Sequence, residues 1–121
     1  MYFAEVILRL AASLLVVFAI VVPVHGAEGK SRLFTGTITD TECGPSHRRM
    51  LARGSMGSTA ASCTRACVRL GATYGVLTGN PRRFFQLDDQ EKPAAFAGKR
   101  VRILGRQQGD TILVDTMEGV R

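Results

Sequence analysis

The chain has 121 residues, of which 16 are Lys or Arg and 10 are Asp or Glu, so it carries a net charge of +6. This length excludes a second sizeable domain, and the basic balance favours anionic lipid headgroups or polyanions over cationic partners. Three cysteines, an odd number, cannot all pair within one chain.

Residues 1–26 read as an export signal. Leu10 to Val22 is nearly uninterrupted apolar sequence, and Val24-His25-Gly26 supplies compact residues at the expected cleavage point. Cleavage there leaves one domain of periplasmic or secreted location; an uncleaved leader, with Glu5 offsetting Arg9, would instead anchor the chain to the membrane. No membrane span is expected after cleavage. Export also places the cysteines where disulfides persist.

Residues 27–32 form a flexible polar lead into a single domain spanning 33–121. Leu33 to Thr39 alternates as a strand, with Phe34, Gly36 and Ile38 on one face. The stretch from Asp40 to Gly57 is a loop or broken helix rich in Gly, Ser and Arg. Thr59 then caps a helix of about three turns on which Ala60, Cys63, Cys67 and Leu70 share an inner face, and Gly71 ends it. Residues 73–78 and 83–87 make a hairpin around Gly79-Asn80-Pro81-Arg82. Residues 91–97 are a short helical turn. Residues 100–104 and 111–115 make a second hairpin, with Val101 and Ile103 inward and Arg100 and Arg102 outward. The fold class is therefore mainly β: a small five-stranded OB-like barrel (oligonucleotide/oligosaccharide-binding order), with an inserted Cys-bearing helix and a short second helix.

Gly36-Thr-Ile-Thr-Asp40, Cys43-Gly44, His47, Met50, Cys63-Thr-Arg-Ala-Cys-Val68, Gly71-Ala-Thr-Tyr74, Phe96-Ala-Gly-Lys99 and Gly109-Asp-Thr-Ile112 together resemble an uncharacterised family of small exported bacterial proteins, a domain of unknown function. The resemblance runs from Leu33 to Thr116. It implies a small exported β-rich domain and transfers no functional residue.

Chemistry concentrates in Cys43, His47, Met50, Cys63 and Cys67. Cysteines four apart on a regular helix have Cβ atoms about 5–6 Å apart, against the roughly 3.5–4.5 Å of a disulfide, so Cys63 and Cys67 are poor partners for each other. Cys43 bridged to Cys63 or Cys67 would staple the loop to the helix and stabilise the domain by about 3 kcal/mol. Alternatively, Cys43, His47, Cys63 and Cys67 form a zinc-compatible set, and Met50 added to one or two thiols and an imidazole suits copper. Two functions follow. One is an exported domain binding copper or zinc; the other is a metal-free, disulfide-stapled envelope module that meets an anionic glycan or lipid headgroup through Arg82, Arg83, Arg100, Arg102 and Arg106.

An enzyme is not expected. The spacing Cys63-Thr-Arg-Ala-Cys67 matches neither a c-type haem motif nor a thioredoxin-like pair. A Cys43–His47 nucleophile lacks an evident oxyanion site, although Asp40 or Glu42 would be available to orient the imidazole. Phe84, Phe85 and Tyr74 offer base-stacking surfaces, but the chain has no Trp and export argues against nucleic acid.

Overall fold

A computed structural model describes residues 29–44, 46–48, 52 and 57–121. The expected signal segment 1–26 and the candidate ligand Met50 lie outside the described residues.

Five strands close into a barrel: β1 (Arg32–Asp40), β2 (Tyr74–Thr78), β3 (Arg83–Leu87), β4 (Arg100–Gln108) and β5 (Thr111–Gly119). Around the ring the order is β1-β2-β3-β5-β4, with β3 and β5 parallel and the other neighbours antiparallel. This is the OB-type order expected from the element sequence. Helix α1 (Ala60–Arg69) lies between β1 and β2, and a short 3-10 helix (Lys92–Phe96) lies between β3 and β4. Among the described residues no helix is long and apolar enough to cross a membrane.

The pleat explains the interior. Phe34 and Ile38 from β1, Val76 from β2, Phe85 and Leu87 from β3, Val101 and Ile103 from β4 and Ile112 from β5 are all buried in one cluster. Several outward neighbours, among them Thr35, Thr37, Arg100 and Arg102, are exposed. Phe34 and Phe85 stack tilted at 6.4 Å between centroids. Tyr74 also lies in this core, 5% exposed, which removes it as a stacking platform on the surface. Gly36 lies where β1 is squeezed between β2 and β4; a Cβ there would stand 2.4 Å from the Leu77 carbonyl oxygen.

Several boundaries differ from the sequence reading. β1 begins at Arg32, one residue inside the expected flexible lead, because Arg32 hydrogen-bonds Gln107 across the sheet and Ser31 donates to Asp115. β4 and β5 run to Gln108 and Gly119, well past 104 and 115. A register shift between Leu104 and Gly105 lets the paired strands continue, and polar Gln107 and Gln108 hide that continuation from an apolar-alternation argument. Leu70 is not on the helix's inner face: it is the C-cap, turned away from the helix and 78% exposed.

The inserted segment leaves and re-enters the barrel at one place. Asp40 ends β1 directly opposite Tyr74, the first residue of β2, and Thr41 N–H donates to the Thr73 carbonyl at 3.1 Å. Residues 41–44 and α1 therefore lie over a single end of the barrel.

Candidate metal centre

The first thiol is set by a turn at the end of β1. Asp40 Oδ1 accepts the N–H groups of Glu42 at 3.0 Å and Cys43 at 2.9 Å, and the Asp40 carbonyl accepts Gly44 N–H at 3.1 Å. This Asx-type turn bends the chain and points Cys43 back over the barrel end. Thr39 Oγ1 donates to the Gly44 carbonyl at 3.1 Å and closes the same turn.

The other two thiols are set by α1. Thr59 is its N-cap in a capping box, accepting Ser62 N–H while Ser62 Oγ accepts Thr59 N–H. At the far end Gly71, with φ of +109°, turns the chain out of the helix and Ala72 N–H returns to the Cys67 carbonyl at 3.0 Å. The helix is held against the barrel by Arg65, which donates to the Ala94 carbonyl, and by Gly98. Gly98 has φ of +72°, and a Cβ on it would sit 2.6 Å from Ala61 N. That docking turns Cys63, Thr64 and Cys67 inward, where all three are buried.

Cys43, Cys63 and Cys67 meet beneath the barrel. Cys43 Sγ is 3.4 Å from Cys63 Sγ and 3.6 Å from Cys67 Sγ. Bonded sulfurs stand about 2.05 Å apart, and all three cysteines are free thiols here. As the i,i+4 argument requires, Cys43 is the thiol that reaches both others. His47 also arrives: its side chain is 13% exposed, its Nε2 lies 2.8 Å from Thr64 Oγ1 and 3.7 Å from Asp40 Oδ2.

Two sets of donors lie close enough to share an ion, with all atoms of each set within 4.8 Å: Cys43, His47 and Cys63, and Asp40, Cys43 and Cys67. The fit to a metal is geometric. Zinc–sulfur bonds of about 2.3 Å at tetrahedral angles place sulfurs about 3.8 Å apart. The observed 3.4 and 3.6 Å fall a few tenths of an ångström short of that edge.

Electrostatics keep two of the thiols protonated. Burial pushes the Cys43 thiol far above the ordinary range, and its contacts with Cys63, Cys67 and the Asp40 carboxylate push it further. Burial also raises Cys67; its hydrogen bond with Cys43 works in the opposite direction, and the Asp40 charge adds to the rise. These sulfurs are neutral thiols until a cation displaces their protons. Asp40, fully buried, keeps Oδ2 without a hydrogen-bond partner among the described residues.

Asp40 is the residue the sequence reading undervalued. It enters there only beside Glu42 as an orienter of His47, because a carboxylate in a loop is usually solvated. Its adjacency to Cys43 was the available signal.

The basic residues lie apart from this cluster and do not act alike. Arg102 pairs with Glu118 at 3.1 Å and Arg83 approaches Asp110 at 3.8 Å, so both are partly neutralised. Arg83 also stacks over the Phe85 ring. Arg82 and Arg100 line a shared cleft of about 210 Å³ with Thr35, Thr37 and Thr78. Arg106, on β4, is half-buried. Phe84 covers Gly75 across the β2–β3 hairpin: a Cβ on Gly75 would stand 2.2 Å from its ring, so Phe84 is committed to sheet packing.

Fold and site together define a small closed β-barrel with a buried cysteine-rich cluster at one end, whose three thiols and one histidine are near enough to hold a metal ion. No family model, curated protein or solved structure matches the chain.

Proposed function

We propose that this protein is an exported metal-binding domain whose ligand is a thiophilic ion, zinc in the first instance and Cu(I) in the second. Cys43, Cys63 and Cys67 supply the sulfurs, and the His47/Asp40 pair supplies a nitrogen or oxygen donor. The observation that carries this reading is the convergence of Cys43 Sγ on both helix thiols, at 3.4 and 3.6 Å, beside a buried carboxylate oxygen that has no partner among the described residues.

Two considerations favour zinc. Thiolate, imidazole and carboxylate are all zinc ligands, whereas the carboxylate is a poor donor to Cu(I). A divalent ion also offsets more of the charge that deprotonated thiols and Asp40 bring into a buried space. The role is binding rather than catalysis: three sulfurs and one further donor fill a tetrahedral shell and leave no open position for substrate.

Native mass spectrometry of the protein isolated from the export compartment, with thiols counted before and after reduction, tests the reading. One retained zinc or copper ion and three reducible-agent-independent thiols are expected. Two missing thiols and no ion would instead establish a Cys43 staple to Cys63 or Cys67 and overturn the metal assignment.

A further inference from the structure

We propose that Asp40 donates its free oxygen, Oδ2, to the bound ion as the fourth ligand, and that this oxygen makes the site select zinc and similar divalent ions over Cu(I). The inference rests on the metal-binding reading above and assigns the donor that reading leaves shared between two residues.

The two oxygens of Asp40 have different tasks. Oδ1 is fixed by the N–H groups of Glu42 and Cys43, at 3.0 and 2.9 Å. With one oxygen pinned and the residue at the end of β1, the carboxylate plane cannot rotate without giving up both bonds. Oδ2 is therefore held in place, fully buried and without a hydrogen bond among the described residues, with the His47 imidazole 3.7 Å away. A buried carboxylate oxygen without a partner is strongly unfavourable unless a cation meets it. Asp40 belongs to the donor set that includes Cys43 and Cys67, within 4.8 Å.

His47 is the competing donor, since it shares the other donor set with Cys43 and Cys63, and its existing hydrogen bond is what sets it apart. Its Nε2 already has a partner, Thr64 Oγ1 at 2.8 Å, and approaches Asp40 Oδ2 only to 3.7 Å. Of the two candidates, the one whose donor atom has no hydrogen bond among the described residues is Asp40. His47 then stands behind the ligands as a positioning residue that covers the carboxylate, as outer-shell groups do around many metals.

Selectivity follows from donor chemistry. Three thiolates alone suit Cu(I) and zinc alike, but a carboxylate oxygen favours the divalent ion. It also adds a negative charge that a monovalent ion compensates less well in a buried site.

The test compares zinc and Cu(I) affinities by chelator competition in the reduced wild type, Asp40→Asn and His47→Gln. Asparagine keeps an Oδ1 for the Glu42 and Cys43 N–H groups, so the turn is retained while the anionic donor is lost. Asp40→Asn should weaken zinc more than about 100-fold and leave Cu(I) within about threefold, whereas His47→Gln, a change behind the ligands, should weaken zinc by about 10- to 100-fold. Equal losses for both metals, or unchanged zinc affinity in Asp40→Asn, would overturn the role of Asp40 while leaving the metal site standing. A wild type that takes up neither ion would overturn the metal reading itself. X-ray absorption of the zinc-loaded wild type gives the answer even if the variant fails to fold. Sulfurs at about 2.3 Å with one oxygen at about 2.0–2.2 Å, without imidazole outer-shell scattering, are expected; imidazole scattering would overturn the assignment.

Discussion

Replacing Cys43 should abolish metal-linked stabilisation, because it is the thiol within reach of both partners. Its sulfur lies 3.4 Å from Cys63 and 3.6 Å from Cys67, so along those two edges an ion requires a shift of only a few tenths of an ångström to reach the roughly 3.8 Å edge of a zinc tetrahedron. Once the ion is bound, the stabilisation follows mass action. Zinc at a hundred times its dissociation constant adds about 2.7 kcal/mol. For a domain of this size each kcal/mol is about 4–8 °C in Tm, which gives a rise of roughly 10–20 °C. Circular-dichroism melting of the reduced protein with and without zinc measures it. Cys43→Ser removes a sulfur from a position only 8% exposed and should melt within a few degrees of the metal-free wild type, with its zinc response nearly lost. Retention of the full zinc shift in Cys43→Ser would refute the geometry argued for the site. So would a wild type whose melting is indifferent to zinc.

Three further outcomes are expected. Because burial raises the Cys43 and Cys67 thiols, an ion must displace their protons; zinc affinity should rise with pH by up to about a hundredfold per unit if both are released, and calorimetry in buffers of different protonation enthalpy should detect those protons, whereas a flat profile would contradict neutral thiols. Asp89 accepts the N–H groups of Glu91 and Lys92, both at 2.9 Å, and Lys92 beside it holds its carboxyl below the usual range. The associated stability is present above the ordinary carboxylate pKa and disappears as pH falls through the lower folded value, so Asp89→Ala should cost about 1 kcal/mol near pH 7 in urea unfolding and converge with wild type in acid. Ile103→Ala, at a fully buried position, should cost about 2–5 kcal/mol, while Leu70→Ala, 78% exposed, should stay within about 0.5 kcal/mol; a costly Leu70→Ala would return Leu70 to the helix's inner face.

The barrel was legible because each strand writes its burial in a two-residue period. Val101 and Ile103 are inside, and Arg100 and Arg102 outside, as the alternation in β4 requires. Thr59 likewise marks the start of α1, since a Thr directly before the helically spaced Ala60, Cys63 and Cys67 is an N-cap signal. Leu70 was misplaced because helical spacing says which face a residue would occupy and not whether the helix lasts that long; the helix ends at Arg69. The tail of β4 escaped notice for the complementary reason. Its ladder continues through Gln107 and Gln108 by backbone pairing that side-chain hydropathy does not record.

Asp40 shows why a site can be less legible than its fold. Its neighbours in sequence explain only Oδ1, which forms the turn with Glu42 and Cys43. The state of Oδ2 depends on α1, which begins twenty residues later and covers the barrel end with Cys63, Thr64 and Cys67. Before that helix docks, the carboxylate is an ordinary solvated turn residue; afterwards it is a buried anion facing thiols. The cost of burying it is therefore incurred by the same docking step that assembles the sulfurs. A cation that binds the assembled cluster offsets both at once, and so ties two separate pieces of chain, the end of β1 with its Cys43 turn and the inner face of α1, into one unit. Metal binding and docking of α1 are on this argument a single equilibrium. Hydrogen exchange of the Cys63 and Cys67 amides should slow on zinc addition in step with the rise in Tm, while the amides of β4 and β5, remote from the cluster, should follow only global unfolding. Protection of α1 that is unchanged by saturating zinc would separate the two processes and remove the link between Asp40's burial and the metal.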